Sequence, residues 1–406
     1  MSASPVRVTR LELEEFRLYR RLDLPISPRG IRIVGPNGSG KTTIIEALLL
    51  VSTTRSRRGV LDADLIGHES GIEFGTAPYA RVRAHIENDH RTARIEVFLE
   101  RAGNGNSSRK LLRVGDVARR AIDVVGIFPT VAFSPEDLEL VIGSPGVRRR
   151  FLDVVLSQVD REYMRHLSRF GRMVTQRNSL LRAIAAGDSK RDELAFWDDQ
   201  VTALGAYVIA ARAIAAAEIA RSAARFFREL ASFEGDLDVT YASTLQQPDA
   251  WWEPIRRGEL EVRSAAQRVS VAVESAIRGS VAEDIARGVT TVGPHRDDLE
   301  IRLGGRPIQR FGSRGQQRLA IVALKLAEIE FISTRLGVRP ALLLDDVLSE
   351  LDSRHRDMLL TSARESECQL VVTSTDADLV DHPDLAELDF AVLDAPGQLR
   401  LVERRG

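Results

Sequence analysis

The pattern of apolar and polar residues changes period along the chain, and each change predicts an element. Residues 6–19, VRVTRLELEEFRLY, alternate apolar and polar positions as a half-buried strand does, and residues 80–115 alternate in the same way. Residues 31–35, IRIVG, are a short apolar run that leads into a glycine-rich turn and a helical pattern, KTTIIEALLLV. Residues 122–134 predict a strand pair or a strand and a turn. The first part of the chain therefore predicts antiparallel strands beside a strand, a loop and a helix in that order.

The middle of the chain has a helical period. From about residue 147 to 288, apolar positions recur every three or four residues and alanine is abundant, so we expect long helices with one short strand near LDVTYAS. After residue 291 the pattern changes again, to a hairpin, DDLEIRLGGRPI, and two buried strands, ALLLDDV and QLVVTST, with helices between them. Strands that alternate with helices indicate an α/β fold with a largely parallel sheet.

Size, charge and cysteine content narrow the class of protein. The length of 406 residues predicts two or three units. The net charge is only -1, yet residues 141–191 hold 11 Lys and Arg against 4 Asp and Glu, whereas residues 341–400 hold 4 against 14. The single cysteine, Cys368, excludes an intramolecular disulfide framework. No uninterrupted apolar run approaches the length of a membrane span, and the N-terminus lacks the apolar stretch of a signal peptide, so we expect a cytoplasmic protein without a membrane partner.

A complete phosphate-binding motif follows the strand IRIVG. GPNGSGKT, residues 35–42, fits G-x-x-x-x-G-K-[ST] between a strand and a helix, where backbone N–H groups converge on phosphate. Lys41 is expected to reach the β- and γ-phosphates, and the Thr42 hydroxyl to ligate Mg²⁺. The motif therefore predicts ATP and Mg²⁺ as cofactors. The predicted nucleotide-binding residues here are Gly35, Pro36, Asn37, Gly38, Ser39, Gly40, Lys41, Thr42 and Thr43.

Two carboxylates end the strand ALLLDDV. Asp345 and Asp346 come directly after four apolar residues, at the strand end where α/β sheets place ligands. Beside a phosphate loop, Asp345 is expected to hold Mg²⁺ together with Thr42, and Asp346 to polarise the attacking water. With Lys41, these two aspartates are the predicted catalytic residues.

A third motif, FGSRGQQR, lies at the start of a predicted helix at residues 311–318. On its own, Ser313 is explained equally well as an ordinary helix N-cap. It lies about 30 residues before the acidic strand, however, and a serine hydroxyl at a helix N-terminus is also an anion site. Ser313, Gly315 and Gln316 are therefore candidate nucleotide ligands.

These motifs together give the chain a family resemblance. It resembles the ABC-type ATPases and, within them, the RecF proteins of bacterial recombinational repair; the strings that carry this are LELEEFRLY, GPNGSGKT, FSPEDLELVIGSPGVRRRFLD, TVGPHRDDLEIRL, GSRGQQR and LLLDDVLSELD. The resemblance implies an ATPase head with a mixed sheet and an inserted helical domain. The expected domains are an N-terminal ATPase lobe at 1–145, the helical insertion at 146–290 and a C-terminal ATPase lobe at 291–406.

The resemblance also implies a mechanism. Ser313, Gly315 and Gln316 would bind ATP presented by a second subunit, so ATP would drive a homodimer that clamps duplex DNA near single-strand gaps. The implied partners are double-stranded and gapped DNA, RecR and RecO, with RecA loading downstream, and the implied activity is a weak, DNA-stimulated ATPase. Two alternatives are an SMC-like chromosome-maintenance ATPase and a transporter ATPase subunit. The transporter alternative is less favoured because transporter subunits keep these two motifs much closer together, whereas Gly35 and Ser313 are separated by 278 residues here.

The sequence departs from the ABC pattern at three places. Asp346 stands where these ATPases usually have Glu, Thr375 or Asp376 stands where transporters have a switch histidine, and the Q-loop residue is unassigned. All three departures favour slow hydrolysis. Asp352 occupies the place of the family's D-loop acid, although a helix cap explains it equally well. Arg17 occupies a place where related heads contact nucleotide, although an exposed strand arginine is at least as good an explanation.

Arginine clusters are the candidate DNA contacts. Arg57 and Arg58 follow the phosphate-loop helix, where a DNA-facing edge and a solvated loop would look the same. Arg148, Arg149 and Arg150 belong to the most basic part of the chain. Arg161, Arg165 and Arg169 share one helix face, either as a stripe that contacts phosphates or as a solvated face with pairs such as Glu162 to Arg165.

Overall fold

A computed structural model of the protein describes residues 4–56, 60–72, 75–89, 91–103, 107–231, 235–245 and 249–402. The chain forms two compact units, one of Met1–Asp137 with Glu328–Gly406 and one of Leu138–Ala327. The three domains predicted from sequence divide the chain differently, because residues 291–327 lie in the second unit, where their hairpin extends a sheet that begins at Leu237.

Strands and helices cover most of the described chain. The strands are β1 (Ser4–Pro5), β2 (Arg7–Phe16), β3 (Tyr19–Pro25), β4 (Gly30–Val34), β5 (Tyr79–Asn88), β6 (Arg91–Arg101), β7 (Ser108–Val114), β8 (Val117–Arg119), β9 (Thr130–Phe133), β10 (Leu237–Ala242), β11 (Asp298–Leu303), β12 (Arg306–Pro307), β13 (Val338–Arg339), β14 (Ala341–Asp345), β15 (Leu370–Ser374), β16 (Asp389–Ala395) and β17 (Gln398–Val402). The helices are α1 (Lys41–Thr53), α2 (Ala121–Val124), α3 (Glu139–Ile142), α4 (Pro145–Val159), α5 (Arg161–Ala186), α6 (Ala195–Leu230), α7 (Asp249–Arg256), α8 (Val262–Arg287), α9 (Ile308–Phe311), α10 (Arg314–Leu336) and α11 (Ser353–Glu365).

A six-stranded sheet in the first unit carries the nucleotide motifs. Its order is β17-β16-β4-β15-β14-β9, and all neighbours are parallel except β16 and β17. The predicted parallel sheet is thereby confirmed. The strand after which the phosphate loop begins, β4, lies next to β15, and β15 lies next to the acidic strand β14, so the carboxyl ends of all three meet at one edge.

An antiparallel sheet forms the other layer of the first unit. Its order is β3-β2-β5-β6-β7-β8, as the alternating patterns predicted. Helix α1 contacts strands of both sheets, and ten of its residues are buried. Because the helix has apolar neighbours on two sides, its sequence lacks a polar face. The shared core therefore fixes the helix that the phosphate loop opens.

The second unit is mainly helical. Its 36-residue helix α6 packs against α4, α5, α7, α8 and β10, and a three-stranded antiparallel sheet of β10, β11 and β12 completes the unit. Within the described residues, the stretch from Arg191 to Leu230 is the one long and apolar enough to cross a membrane by length and composition. Because 78% of its most apolar window is buried inside the protein, packing against these elements explains that composition.

Residues 122–134 left two alternatives, a strand pair or a strand and a turn. The structure has one helical turn, α2, followed by the single strand β9, so the strand pair is wrong and the single strand is present. Gly126 with φ of 89° separates the two elements. The apolar run at 122–125 is too short for its pattern to distinguish a strand from one helical turn.

Candidate nucleotide-binding site

The phosphate loop lies at the carboxyl end of β4 and is anchored on several sides. The amide of Gly35 donates to Ser374 O at 3.3 Å, the amide of Gly397 donates to Ser39 O at 3.0 Å, and the Tyr19 hydroxyl donates to Gly40 O at 3.2 Å. Gly40 has φ of 112°, and a Cβ there would come within 2.8 Å of Tyr19 Oη. The loop therefore needs glycine at this position both for its backbone conformation and for space.

Lys41 is folded onto its own loop. Its Nζ donates to Gly35 O at 2.7 Å and Pro36 O at 2.9 Å, and the residue is 5% exposed. Burial lowers the pKa of Lys41 from its ordinary value, partly offset by Asp346 and Asp345. Carbonyl oxygens are weaker partners for an ammonium than phosphate oxygens, so the lysine can exchange them for an anionic ligand. Ser39 Oγ, buried in the same loop, has no hydrogen-bond partner among the described residues, which fits a loop shaped for a ligand.

A side-chain hydrogen bond connects the helix that follows the phosphate loop to the acidic strand. Thr42 Oγ1 donates to Asp345 Oδ1 at 3.0 Å, and Asp345 is 3% exposed. These are the two residues predicted to ligate Mg²⁺, and a hydroxyl and a carboxylate are oxygen ligands of the kind that this hard cation prefers. The arrangement fits the cofactor pair of ATP and Mg²⁺.

Thr373 is a site residue that the sequence analysis missed. It belongs to β15, and its Oγ1 donates to Asp345 Oδ1 at 2.9 Å. The amide of Asp346 donates to the same hydroxyl at 3.2 Å and to Thr373 O at 3.1 Å. Thr373 is fully buried. No sequence motif identifies Thr373, because only the strand register, which pairs it with Asp345, brings it to the acidic pair.

Asp346 has an unusual backbone conformation. Its φ of 52° and ψ of 23° are left-handed, and its Oδ1 accepts a hydrogen bond from the amide of Thr375 at 3.2 Å. Of the two switch candidates, Thr375 thus lies against Asp346, whereas the amide of Asp376 donates to Ser374 Oγ. The strained backbone directs the Asp346 side chain toward the end of β15.

Two further residues of the first unit have clear partners. Arg17 forms a two-pronged ion pair with Glu46 of α1, both contacts at 3.0 Å, and its side chain is 32% exposed. It is therefore paired to the helix that follows the phosphate loop. Asp352 is the N-cap of α11: its Oδ1 accepts from the amide of His355 at 3.0 Å. This is the capping alternative given for Asp352.

The third motif, FGSRGQQR at residues 311–318, belongs to the second unit, and we call it the signature motif. Ser313 and Gln316 form reciprocal bonds, in which the Ser313 amide donates to Gln316 Oε1 at 2.8 Å and the Gln316 amide donates to Ser313 Oγ at 3.2 Å. This capping arrangement opens α10. Ser313 and Gly315 are exposed. A Cβ on Gly315 would meet no atom of the chain within 4 Å, so the chain's own packing gives no reason for a helix-weakening glycine here.

The string VGPHRDD, residues 292–298, is the centre of a buried polar network in the second unit. Arg212 of α6 donates to Pro294 O at 2.5 Å, to Asp153 Oδ1 at 2.7 Å and to the Tyr163 hydroxyl at 3.0 Å. Asp297 accepts from the amide and the hydroxyl of Thr244 at 2.7 and 2.8 Å. Burial raises the pKa of Asp297. The Tyr241 hydroxyl of β10 also donates to Asp297, at 2.5 Å. Arg212 and the string together thus connect α4, α5, α6 and β10.

His295 in this string is a half-buried histidine that accepts or donates one hydrogen bond. Among the described residues no group of three or more His, Cys, Asp or Glu could hold a metal ion. Its Nε2 is 3.0 Å from Thr290 O, and its buried Nδ1 has no partner within the described part of the chain. Burial lowers the pKa of His295 to about 4, so the ring is neutral at pH 7.

The structure corrects part of the predicted DNA surface. Arg148 is 8% exposed, donates to both oxygens of Asp298 at 2.8 Å and donates to Gly143 O at 2.8 Å. Its charge is paired with Asp298 and most of its side chain is buried inside the unit, so it is not placed as a surface phosphate contact. Arg149 is half-buried and donates to Asp297 O at 2.7 Å, and burial lowers its pKa. Arg150 is half-buried as well, whereas Arg57 and Arg58 lie outside the described residues.

Comparisons with known proteins agree with this geometry. A family model described as RecF/RecN/SMC N terminal domain matches residues 7–387. The DNA replication and repair protein RecF of Thermomicrobium roseum is 42% identical over 383 residues, which cover 94% of this chain and 96% of that protein. The protein of the same name from Herpetosiphon aurantiacus is 40% identical over 380 residues, which cover 91% and 94%.

Solved structures share the fold. The recombination mediator protein RecF with ATP, described in the RecFOR pathway, matches with a TM-score of 0.82 at 26% identity and covers 99% of each chain. An Smc head domain from Pyrococcus furiosus matches with a TM-score of 0.53 at 17% identity over 98% of this chain and 96% of that one, which shows a common fold alone. These matches confirm the predicted fold class, a mixed α/β ATPase head. With relatives of this identity over nearly its whole length, the chain belongs to the RecF family.

Proposed function

We propose that this chain is an ATP-dependent DNA-binding protein of recombinational DNA repair. The observation that carries the proposal is the Thr42–Asp345 bond of 3.0 Å, which joins a complete phosphate loop to an acidic strand. Relatives about 40% identical are DNA replication and repair proteins by name. ATP is the proposed nucleotide, held by residues 35–43. Mg²⁺ held by Thr42 and Asp345 would neutralise charge on the phosphates.

The ATP site is proposed to be completed by a second copy of the chain. Ser313, Gly315 and Gln316 would contact the triphosphate presented by the partner's phosphate loop. Gly315 supports this, since its missing side chain leaves room for something from outside the chain. A nucleotide that binds only the dimer shifts the equilibrium toward it by that difference in affinity.

The proposed activity is a slow ATPase that acts as a switch and is stimulated by DNA. Asp346 would polarise the attacking water, but its side chain is shorter than glutamate and one of its oxygens accepts from the Thr375 amide. An aspartate with shorter reach and one oxygen already hydrogen-bonded would position the attacking water less well than a glutamate, so hydrolysis would be slow. ATP binding would close the dimer around duplex DNA near a gap, and hydrolysis would release it.

The proposed partners follow from the pathway in which a relative is described. A RecF structure 26% identical to this chain is placed in the RecFOR pathway. We therefore expect RecR and RecO as protein partners, RecA loading as the downstream step, and the cytoplasm as the location.

The alternative function is that of an SMC-like chromosome-maintenance ATPase. The longest helix of the described residues, α6, has 36 residues and so a length of about 54 Å. The arm of an SMC protein needs hundreds of heptad residues, and α6 packs within its unit instead. The transporter alternative places the signature motif much closer to the phosphate loop than the 278 residues found here.

Sedimentation tests the proposal. Wild type and Ser313→Arg would be compared at micromolar concentration with Mg·ATP, with and without duplex DNA. Wild type should dimerise with ATP and bind DNA, and Ser313→Arg should bind ATP but stay monomeric because the new side chain fills the space of the partner's triphosphate. Asp346→Asn should bind ATP and persist as a dimer. A wild type that stays monomeric at saturating ATP contradicts the shared site.

A further inference from the structure

Helix α5 presents a row of arginines without partners on the surface of the second unit. Arg161, Arg165, Arg169 and Arg172 are exposed, and none forms an ion pair with another described residue. At 100° per residue the four lie within about 80° of one another, along about 16 Å of the helix. We call these four residues the α5 arginine row.

The nearby acids are committed elsewhere. Glu162 is the only acidic residue of α5, and its Oε2 accepts from Arg263 at 2.9 Å. That ion pair raises the pKa of Arg263. Asp160 caps the helix by accepting from the amides of Glu162 and Tyr163, and its other oxygen accepts from the Tyr207 hydroxyl. The explanation of the row as a solvated face with internal ion pairs therefore fails for Arg165.

The row is costly for the helix itself. Arg161 and Arg165, and then Arg165 and Arg169, are like charges four residues apart, a spacing that destabilises a helix. Arg161 also lies in the first turn, where the helix dipole disfavours a cation. Exposed arginines of α8 show the ordinary arrangement: Arg278 and Arg287 each pair with a glutamate four residues earlier.

We propose that the α5 arginine row binds the phosphate backbone of duplex DNA. Over about 16 Å, one strand of B-form DNA carries about five phosphates, which matches a row of four cations. Ser168, Gln176 and Ser179, which are exposed on the same face, are polar and uncharged and would not oppose a polyanion. No large apolar side chain of α5 is among the exposed ones, whereas a helix that binds a membrane surface needs such residues. The inference rests on the proposed DNA-binding function and gives it a surface, in place of Arg148.

Salt-dependent DNA binding tests the row. The full chain and the variant R165Q/R169Q/R172Q would be titrated against a short fluorescent duplex with Mg·ATP over a range of salt concentrations. Each phosphate contact adds about 0.9 to the slope of log affinity against log salt, so the variant should lose about 2.7 from the slope and at least about tenfold in affinity. The matched control R268Q/R278Q/R287Q removes the same number of exposed arginines from α8 and should lose less than about 1 from the slope.

The outcomes separate the two proposals. If wild type does not bind duplex DNA with ATP, both the proposed function and the proposal for the α5 arginine row are wrong. If wild type binds but the row variant keeps its slope and affinity, or the α8 control loses as much, the row is not the DNA surface. A row variant that keeps DNA binding but loses binding to phosphatidylserine vesicles would assign the row to lipid instead. ATP-driven dimerisation and circular dichroism of the row variant should match wild type, which excludes misfolding as the cause.

Discussion

Lys41 in the first unit donates to two carbonyl oxygens of its own loop, while Arg212 in the second unit donates to a carboxylate, a phenol and a carbonyl of three different segments. Both residues are cationic and at most 5% exposed. The lysine's partners are weak and exchangeable, and the Ser39 hydroxyl beside it has no hydrogen-bond partner among the described residues. The arginine's partners hold helices together. A buried cation whose hydrogen bonds can be exchanged is therefore available to bind a ligand. A buried cation whose partners are fixed stabilises the fold instead.

The largest expected effect is on stability, when Arg212 with its fixed partners is replaced. Arg212→Met should lower the free energy of unfolding by about 3–5 kcal/mol, because it leaves the Asp153 carboxylate without its cation. Urea denaturation measures the loss. The double variant with Asp153→Leu should recover part of it, since no unpaired charge remains. A loss below about 1 kcal/mol for Arg212→Met would show that the network is not structural.

The matching substitution at the residue with exchangeable partners is Lys41→Ala. It should weaken ATP binding by at least about a hundredfold, because charge-assisted bonds to phosphate oxygens are lost. Stability should change by only about 1 kcal/mol, since the lost bonds go to carbonyl oxygens. Titration with a fluorescent ATP analogue and urea denaturation give the two values. A large loss of stability with unchanged ATP affinity would show that Lys41 stabilises the fold and does not bind the nucleotide.

Thr373→Val sharpens the description of the exchangeable site. It keeps the volume but removes the hydroxyl that bonds Asp345 and the Asp346 amide, so the Mg²⁺ concentration for half-maximal ATPase activity should rise about tenfold. Thr373→Ser should restore it. Thr130→Val is the matched control, because Thr130 is buried in β9 of the same sheet and bonds Ser52. If Thr373→Val and Thr130→Val had equal effects, Thr373 would have only a structural role in the sheet and none in the Mg²⁺ site.

The smallest expected effect concerns His295 in the fixed network. Its folded pKa of about 4 lies below the unfolded value near 6.5, so the unfolded chain binds more protons between these values and stability falls as the pH falls. From pH 7 to 5.5 the loss should be about 1 kcal/mol. Urea midpoints of wild type and His295→Gln measure it, and the variant should show a flatter profile. An equally steep profile in the variant would assign the pH dependence to other groups.

The sequence predicted most of the first unit and its site. The period-2 alternation predicted the antiparallel sheet. The elements that carry the two motifs, β4, α1 and β14, form where the sequence predicted them, because these motifs tie residue type to backbone position. It did not find Thr373, since a buried threonine in an apolar strand carries no signal until the register sets it beside Asp345. Asp346 was found, but its left-handed backbone was not.

In the second unit the sequence determined less. The helical period and the capping of α10 by Ser313 could be predicted from local patterns, because helix capping and amphipathicity are set within a few residues. Whether an arginine faces water or a carboxylate could not, since that depends on residues far away in the chain. Arg148 and Arg165 have the same chemistry and lie in the same basic stretch, yet Asp298, 150 residues from Arg148, buries the first while nothing described covers the second. Sequence determined which chemistry this protein carries; tertiary packing decided which of its charges are left to act on a ligand, because desolvation and pairing are long-range properties of the fold.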